Sequence, residues 1–334
     1  MSNKISRRTF LKTGAAAAGA LAFSGLIGPG AWASAGKAPA EVFFTDDISV
    51  DGLLKIYKRI NHNISGKTAI KLHSGEPNGP NLLPIELSRG LQASVPDSTI
   101  VECNVLYGSP RQNTEGHLET LKINGFDFCP VDIMDAEGDV SLPIPGMKEF
   151  LADPANKGRF TPGDHLTEVA VGRNFLNYNS MLVYTHFKGH AMGGFGGSLK
   201  NISIGCASGK VGKLQIHGAG WPIGELFLER MVEGGLGMTA HFGPRITYIN
   251  VLKNISVDCD CDKNAAKPTC RDIGIVGSTD ILAVDQASVD MVYALPEAER
   301  RDIVERIESR SGLHQLKYMK TLNMGNDQYQ MIKV

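Results

Sequence analysis

Neither sign of charge dominates this 334-residue chain: 34 Lys and Arg stand against 35 Asp and Glu. It therefore lacks the basic excess that nucleic-acid recognition draws on, and no nucleic-acid partner is expected. No strongly apolar run reaches the roughly 18 residues needed to span a bilayer, which excludes a multi-span membrane protein. Internal repeats, low-complexity tracts and a clean interdomain linker are all missing, so solenoid, collagen-like and disordered architectures are excluded. Phosphate-binding consensus motifs are also missing. Gly205-Cys206-Ala207-Ser208-Gly209-Lys210 is too short for a Walker loop, and no G-x-G-x-x-G follows a strand. What remains is a chain 42% hydrophobic and 21% charged, with enough apolar material for a sizeable core.

The first 33 residues contain no acidic group. Ser6-Arg7-Arg8-Thr9-Phe10-Leu11-Lys12 is a basic segment with paired arginines, Ala15 to Ile27 is mostly Ala, Gly, Leu and Phe, and Ala31-Trp32-Ala33 precedes Ser34. This layout predicts a twin-arginine export signal over residues 1–33, cleaved to release residues 34–334 as one domain outside the cytoplasm, with no stable membrane span left. Removing Lys4, Arg7, Arg8 and Lys12 leaves 30 basic against 35 acidic residues. The twin-arginine route serves proteins that fold before crossing, often with a cofactor loaded, which raises the expectation of a bound metal.

Hydrophobic periodicity predicts a strand at Glu41–Thr45, a helix at Ser49–Ile64 and a strand at Thr68–Leu72. A helix near Pro84–Val95, a strand at Thr99–Leu106, a helix at Thr114–Asn124 closed by Gly125 and a strand at Pro130–Met134 continue the alternation. Repeats of this kind favour an α/β fold with a mostly parallel sheet flanked by helices. Leu166–Val171 and Ser180–His186 read as further strands, joined by a short helical link. Gly189 to Gly243 then holds 15 glycines and reads as an inserted Gly-rich region, with helices only near Ser198 and at Pro222–Val232. An extended run at Arg245–Val257, a cysteine-bearing loop, a strand at Asp272–Val276 and helices at Ile281–Leu295 and Pro296–Ser309 follow.

Ligands in open α/β sheets bind beyond the carboxyl ends of the strands. Thr185-His186-Phe187-Lys188-Gly189-His190 lies at such an end, ahead of Gly193, Gly194, Gly196, Gly197, Ser198 and Lys200. The amides of a helix starting near Ser198 suit an anion, with Lys188 or Lys200 adding charge. His73 with Glu76, and Tyr107 to His117 with Arg111, follow two other strands. In a parallel sheet His73, Arg111, His117, His186, His190 and His217 therefore share one rim and can converge in one pocket.

Six cysteines lie beyond residue 33: Cys103, Cys129, Cys206, Cys259, Cys261 and Cys270. An even number in an oxidising compartment allows three disulfides. Cys259-Asp260-Cys261, however, puts two thiols one residue apart on the same side of an extended chain, where a mutual bridge would be strained. That spacing suits two thiolates on one metal or cluster, with Cys270 or Cys206 as a third ligand. It matches neither the C-x₂-C-x₂-C ferredoxin run nor a paired C-x₂-C zinc site.

Lys71-Leu72-His73-Ser74-Gly75-Glu76, Tyr107 to His117, His186-Phe187-Lys188-Gly189-His190 with Gly194-Phe195-Gly196-Gly197-Ser198-Leu199-Lys200-Asn201, and Asp272-Ile273-Gly274 through Asp280 to Asp285-Gln286-Ala287 together resemble the domain of unknown function 362 family, often labelled iron-sulfur centre proteins. The likeness runs from about Val42 to Val292. Many relatives carry a ferredoxin-like run after the position matching His217, whereas Ala219 to Gly243 here holds no cysteine. The resemblance implies a metal-related, redox role and gives no reaction.

The sequence thus predicts an exported metalloprotein, an uncertain enzyme of the metal-dependent oxidoreductase kind, acting on a small anionic molecule with or without an electron-transfer partner. Its expected metal ligands are His73, His186, His190, His217, Cys206, Cys259, Cys261 and Cys270, holding a transition metal or an iron-sulfur cluster. Lys188, Arg111 and His117 are the expected catalytic groups, and Gly194, Gly196, Gly197, Ser198 and Lys200 the anion-binding loop. The alternative is a non-catalytic periplasmic binding or metal-carrier protein stabilised by disulfides.

Overall fold

Two strands open the chain, β1 (Lys4–Ser6) and β2 (Ala40–Thr45). The computed structural model describes residues 4–6 and 38–334; the paired arginines, the apolar run and the cleavage site at residues 31–33 lie outside them. Helix α1 (Val50–Ile60) begins where the Ser49 side chain accepts from the Gly52 amide, and buries Leu53, Ile56, Tyr57 and Ile60 along one face. It stops four residues before the predicted Ile64, because Asn61-His62-Asn63 are poor helix formers and Asn61 closes it. Then follow β3 (Thr68–Lys71), α2 (Ile85–Ser94), β4 (Ser98–Glu102), α3 (Thr114–Ile123) and β5 (Val131–Ile133). The alternation predicted for this half is present throughout.

A hairpin of β6 (Asp139–Pro143) with β7 (Glu168–Gly172) encloses a short helix, α4 (Met147–Ala152). Beyond it come β8 (Ser180–His186), then β9 (Lys188–His190) paired with β10 (Gly194–Gly196). The Gly-rich stretch is mostly helical: α5 (Ser198–Cys206), α6 (Gly212–His217) and α7 (Glu225–Phe242). Its glycines mark close packing more than looseness. A Cβ on Gly235 would meet Leu199 at 2.7 Å, and one on Gly212 would meet the Ala170 carbonyl at 1.9 Å. The chain closes with β11 (Ile246–Leu252), β12 (Gly274–Ser278), α8 (Ile281–Tyr293), α9 (Glu297–Ser309), α10 (His314–Thr321) and β13 (Tyr329–Lys333).

Nine strands form one sheet in the order β1-β13-β2-β12-β11-β8-β3-β4-β5. Every strand but β1 and β12 points the same way, so the fold is α/β with a mostly parallel sheet. All seven residues of β8 and all seven of β11 are buried, as strands covered on both faces must be. One face packs α1 and α2 through Leu53, Ile56, Leu87 and Leu91. The other packs α5, α7 and α8 through Leu199, Ile202, Met231, Val284 and Ala287. The carboxyl ends of β3, β4, β8 and β11 therefore open on a common rim.

Candidate functional site

That rim encloses a cavity of about 350 Å³. His73 from the end of β3, Glu102 from β4, His186 and Lys188 from β8 and β9, and His190 line it. Lys200 of α5, Lys213 and His217 of α6, and Cys261 complete its polar wall; Val105, Leu106, Met192, Ile204 and Trp221 supply apolar wall. Histidines spread over the sequence thus meet at one place because their strands are parallel.

Beside the cavity, His190, Cys259 and Cys261 bring one ligand atom each within 4.8 Å of one another, a group that could hold a metal ion. The backbone of β9 seats them: the Gly189 amide donates to the Ser256 carbonyl at 2.7 Å, and a Cβ on Gly189 would lie 2.2 Å from the Val257 oxygen. Only glycine lets the hairpin lie this close to the loop that carries the thiols. Hydrogen bonding from Cys261 holds the Cys259 thiol well below its ordinary pKa against burial, with Lys200, Lys188 and His73 helping, while the same bond and burial push Cys261 up. Lys200 Nζ lies 3.9 Å from Cys259 Sγ. Burial and the charge of Lys200 keep the His190 pKa well below that of a free imidazole, so the ring is neutral, as a ligand must be. Its Nδ1 accepts from the Gly193 amide at 2.9 Å, which puts the proton of the neutral ring on Nε2.

Asp260 points away from the thiols. Its Oδ2 takes Lys188 Nζ at 2.6 Å and His186 Nδ1 at 2.9 Å. Burial favours the protonated acid, but His186 and Lys188 hold this carboxyl below the usual range, and the pairing raises Lys188 against its own burial. The second nitrogen of His186 meets the Lys253 carbonyl at 2.7 Å, so both ring nitrogens are engaged. His186 is thus a support for Asp260, in contrast to its expected place as a ligand.

Other expected ligands separate from the group. Cys270 Sγ donates to the Glu299 carbonyl at 3.2 Å, and Cys206 is fully buried, with its carbonyl accepting from Cys103 Sγ at 3.3 Å. Neither joins Cys259 and Cys261, and all six cysteines are free, so the expected bridges are absent from the structure. His217 lines the cavity sandwiched between Trp221 and Phe227, at ring distances of 4.3 and 5.0 Å, and is not in the three-donor group. His73 lies beside it, its Nδ1 3.9 Å from Glu102 and its Nε2 buried without a hydrogen bond.

Of the expected catalytic groups, Arg111 is held in an ion pair and His117 lies outside the cavity lining. Arg111, 1% exposed, places Nε and Nη2 on Glu76 Oε1 at 3.1 and 2.7 Å, so its charge is neutralised at the cavity wall. His117 is fully buried behind Glu102, 3.8 Å from Oε1, and does not line the cavity. The expected anion-binding helix start is likewise filled: Asp285 accepts from the Ser198 and Leu199 amides at 2.7 and 2.9 Å, and a Cβ on Gly197 would strike its carboxylate at 2.4 Å. The dipole at this helix end is satisfied by a carboxylate of the protein itself. Gly194 takes φ +78° to turn between β9 and β10, and Gly196 borders the cavity next to Lys200.

Sequence reasoning missed Lys71, Glu102, Lys213 and Trp221 as components of this site, while Asp260 was expected only as an acidic neighbour of the thiols. Lys71 Nζ bonds Glu102 at 3.3 Å and Asn201 at 3.0 Å, and Glu102 also accepts from Ser74 at 2.6 Å. The positions of Lys71 and Glu102 at strand ends were a usable signal, since the same argument selected His73.

The model of the domain of unknown function family DUF362 matches residues 68–290, and a twin-arginine translocation signal matches residues 4–24. The chain belongs to the DUF362 family. Its N-terminal signal points to twin-arginine export, and among the described residues no helix is long and apolar enough to cross a membrane. No curated protein matches the chain. Among solved structures it is similar to a protein from Thermotoga maritima, at 13% identity and a TM-score of 0.40 over 80% of this chain and 60% of that one. It is also similar to the lactate racemase apoprotein from Thermoanaerobacterium thermosaccharolyticum, at 12% identity and 0.38 over 76% and 57%. The chain therefore spans about three fifths of the length of either structure.

Proposed function

We propose that this DUF362 protein, with residues 34–334 as one exported α/β domain, holds a single transition-metal ion on His190, Cys259 and Cys261, next to a cavity that takes a small anionic substrate. The observation that carries this reading is the convergence of two thiols and a neutral imidazole within 4.8 Å, drawn from segments some 70 residues apart. Two soft thiolates and one imidazole suit zinc, copper(I) or iron, and three protein donors leave a position for a further ligand. An iron-sulfur cluster is held by four protein ligands, and with Cys206 and Cys270 apart from the three donors a single ion is favoured. The ion supplies Lewis acidity or an electron at the cavity wall. The chain's own groups do the rest: Lys200 faces the thiols, the Lys188–Asp260–His186 unit fixes the loop, and the Lys71–Glu102–His73 group, with His73 next to Cys259, can relay a proton at the cavity wall.

Elemental analysis of protein purified without oxygen tests the reading. Close to one equivalent of metal is expected in the wild type, less than a tenth in Cys259→Ser and Cys261→Ser, and a clear reduction in His190→Ala. Cys206→Ser and Cys270→Ser should keep the full equivalent, and metal lost equally from all five variants would refute this ligand set.

A further inference from the structure

Of the five cations that line the cavity, three are neutralised by carboxylates: Lys71 by Glu102, Lys188 by Asp260 and Arg111 by Glu76. Lys200 and Lys213 are different. Among the described residues neither makes an ion pair: Lys200 has only the Cys259 thiol at 3.9 Å, and Lys213, 4% exposed, donates to the Ala207 carbonyl at 2.6 Å. Lys213 and His217 stand four residues apart on α6, so they share one face. Gly212 lets that helix approach β7 closely enough to deliver both to the cavity. Burial first, and then the charges of Lys200 and Lys213, bring the His217 pKa down to about 3. Its Nδ1 is buried without a hydrogen-bond partner in a residue 6% exposed. Lys200 shares its charge with the Cys259 thiol, whose lowered pKa favours the thiolate, while Lys213 has no ion-pair partner among the described residues. The corner around the orphaned imidazole nitrogen thus keeps an excess positive charge, which is costly unless an anion fills it.

Apolar side chains surround that corner. Trp221, Val105, Leu106, Met192 and Ile204 line the same cavity, and Trp221 stands at its margin, 38% exposed. Water or a small inorganic ion would leave these apolar surfaces without partners, and with Lys200 facing the Cys259 thiol the corner is left with a single uncompensated cation, which a dianion would exceed. We propose that the cavity binds a monoanionic organic acid of the arylalkyl carboxylate class, its carboxylate on Lys200, Lys213 and His217 and its apolar body against Trp221 and Ile204. This rests on the cavity being the substrate site, as proposed above, but not on the metal.

Calorimetric titration of the full-length protein, metal-loaded and metal-stripped, with phenylacetate, acetate, phenylacetamide and phenyl phosphate tests it. Phenylacetate should bind at least tenfold tighter than acetate, which lacks the body, than phenylacetamide, which lacks the charge, and than phenyl phosphate. Lys213→Met and Lys200→Met should each weaken phenylacetate at least tenfold while leaving phenylacetamide unchanged. In residues 34–334 Trp221 is the sole tryptophan, and the fluorescence of the signal-cleaved protein should respond to phenylacetate. Equal binding of the acid and its amide, or of acetate and phenylacetate, would overturn the proposal, as would a preference for the phosphate. Metal stoichiometry measured on the same preparations reports the metal reading separately, since the ligand order should hold in stripped protein too.

Discussion

Asp260 sits between two thiols in sequence and between a lysine and a histidine in space, and this double position sets its weight. The carboxylate serves Lys188 and His186 with one oxygen, and Lys188 is only 4% exposed. Asp260→Asn should therefore cost about 3–5 kcal/mol, the usual penalty of leaving one member of a buried pair uncompensated, read as a lower urea midpoint at unchanged slope. Lys188→Met in the same background should recover part of that loss; no recovery would mean that the pair is not what matters. The thiol pair was legible in the spacing of Cys259 and Cys261, but not for the expected reason: the chain there is not extended but turns, with the Asp262 amide donating to the Cys259 carbonyl at 2.8 Å. The engagement of His186 was not, since its partners lie 67 and 74 residues further along the chain.

At the level of elements, glycine decides how closely the site's parts approach. Gly189→Ala should destabilise the protein by about 1–3 kcal/mol, as overpacking does, and should also lower metal retention, because the displaced Val257 backbone leads directly into Cys259. A stable variant with full metal content would show that the hairpin and the loop move independently. The glycine cluster was visible in the sequence, yet its meaning was not: the same composition fits loose loops or tight helix packing, and only the partners of α5, α6 and α7 separate the two. The anion-binding reading of the α5 start failed for a related reason, since Asp285, which caps it, belongs to a helix more than 80 residues away.

A second element-level device ties the segment after α4 to α7 and α10. His165 Nδ1 lies 2.6 Å from Glu233 Oε1, Tyr318 donates to the same oxygen at 2.9 Å, and the Leu166 amide takes the other at 2.8 Å. Glu229 stands 3.9 Å from His165 Nε2, with Asp164 also facing it. Burial works against the charged ring, but Glu233 and its acidic neighbours raise the His165 pKa above the ordinary 6.5. Because the folded value is the higher, this contribution is fully present below the unfolded pKa and is lost as pH rises through the folded one. Thermal melting across that window should show the wild type losing stability as pH rises and His165→Gln losing less; parallel curves would refute the linkage.

Over the whole molecule, the first half of the sheet could be read from its strand–helix alternation, and with it the prediction that loops after β3, β4 and β8 share a rim. The other half could not. The chain returns through α10 to lay β13 beside β2, and inserts β12 against the direction of its neighbours. Such order depends on pairings that no local pattern encodes. The cavity takes His73, His186 and His190 from strand ends of the legible half, and Lys200, Lys213 and His217 from helices packed over the sheet, where no strand-end argument pointed to Lys213.

Cys259, Asp260 and Cys261 also have a reporting value. The thiols meet the candidate centre while the carboxylate between them holds His186, so consecutive peptide units join the two environments. Loading and unloading of the centre should be readable at a ring that never touches it: the His186 imidazole resonances would serve as a built-in gauge of occupancy for any ion, coloured or spectroscopically silent.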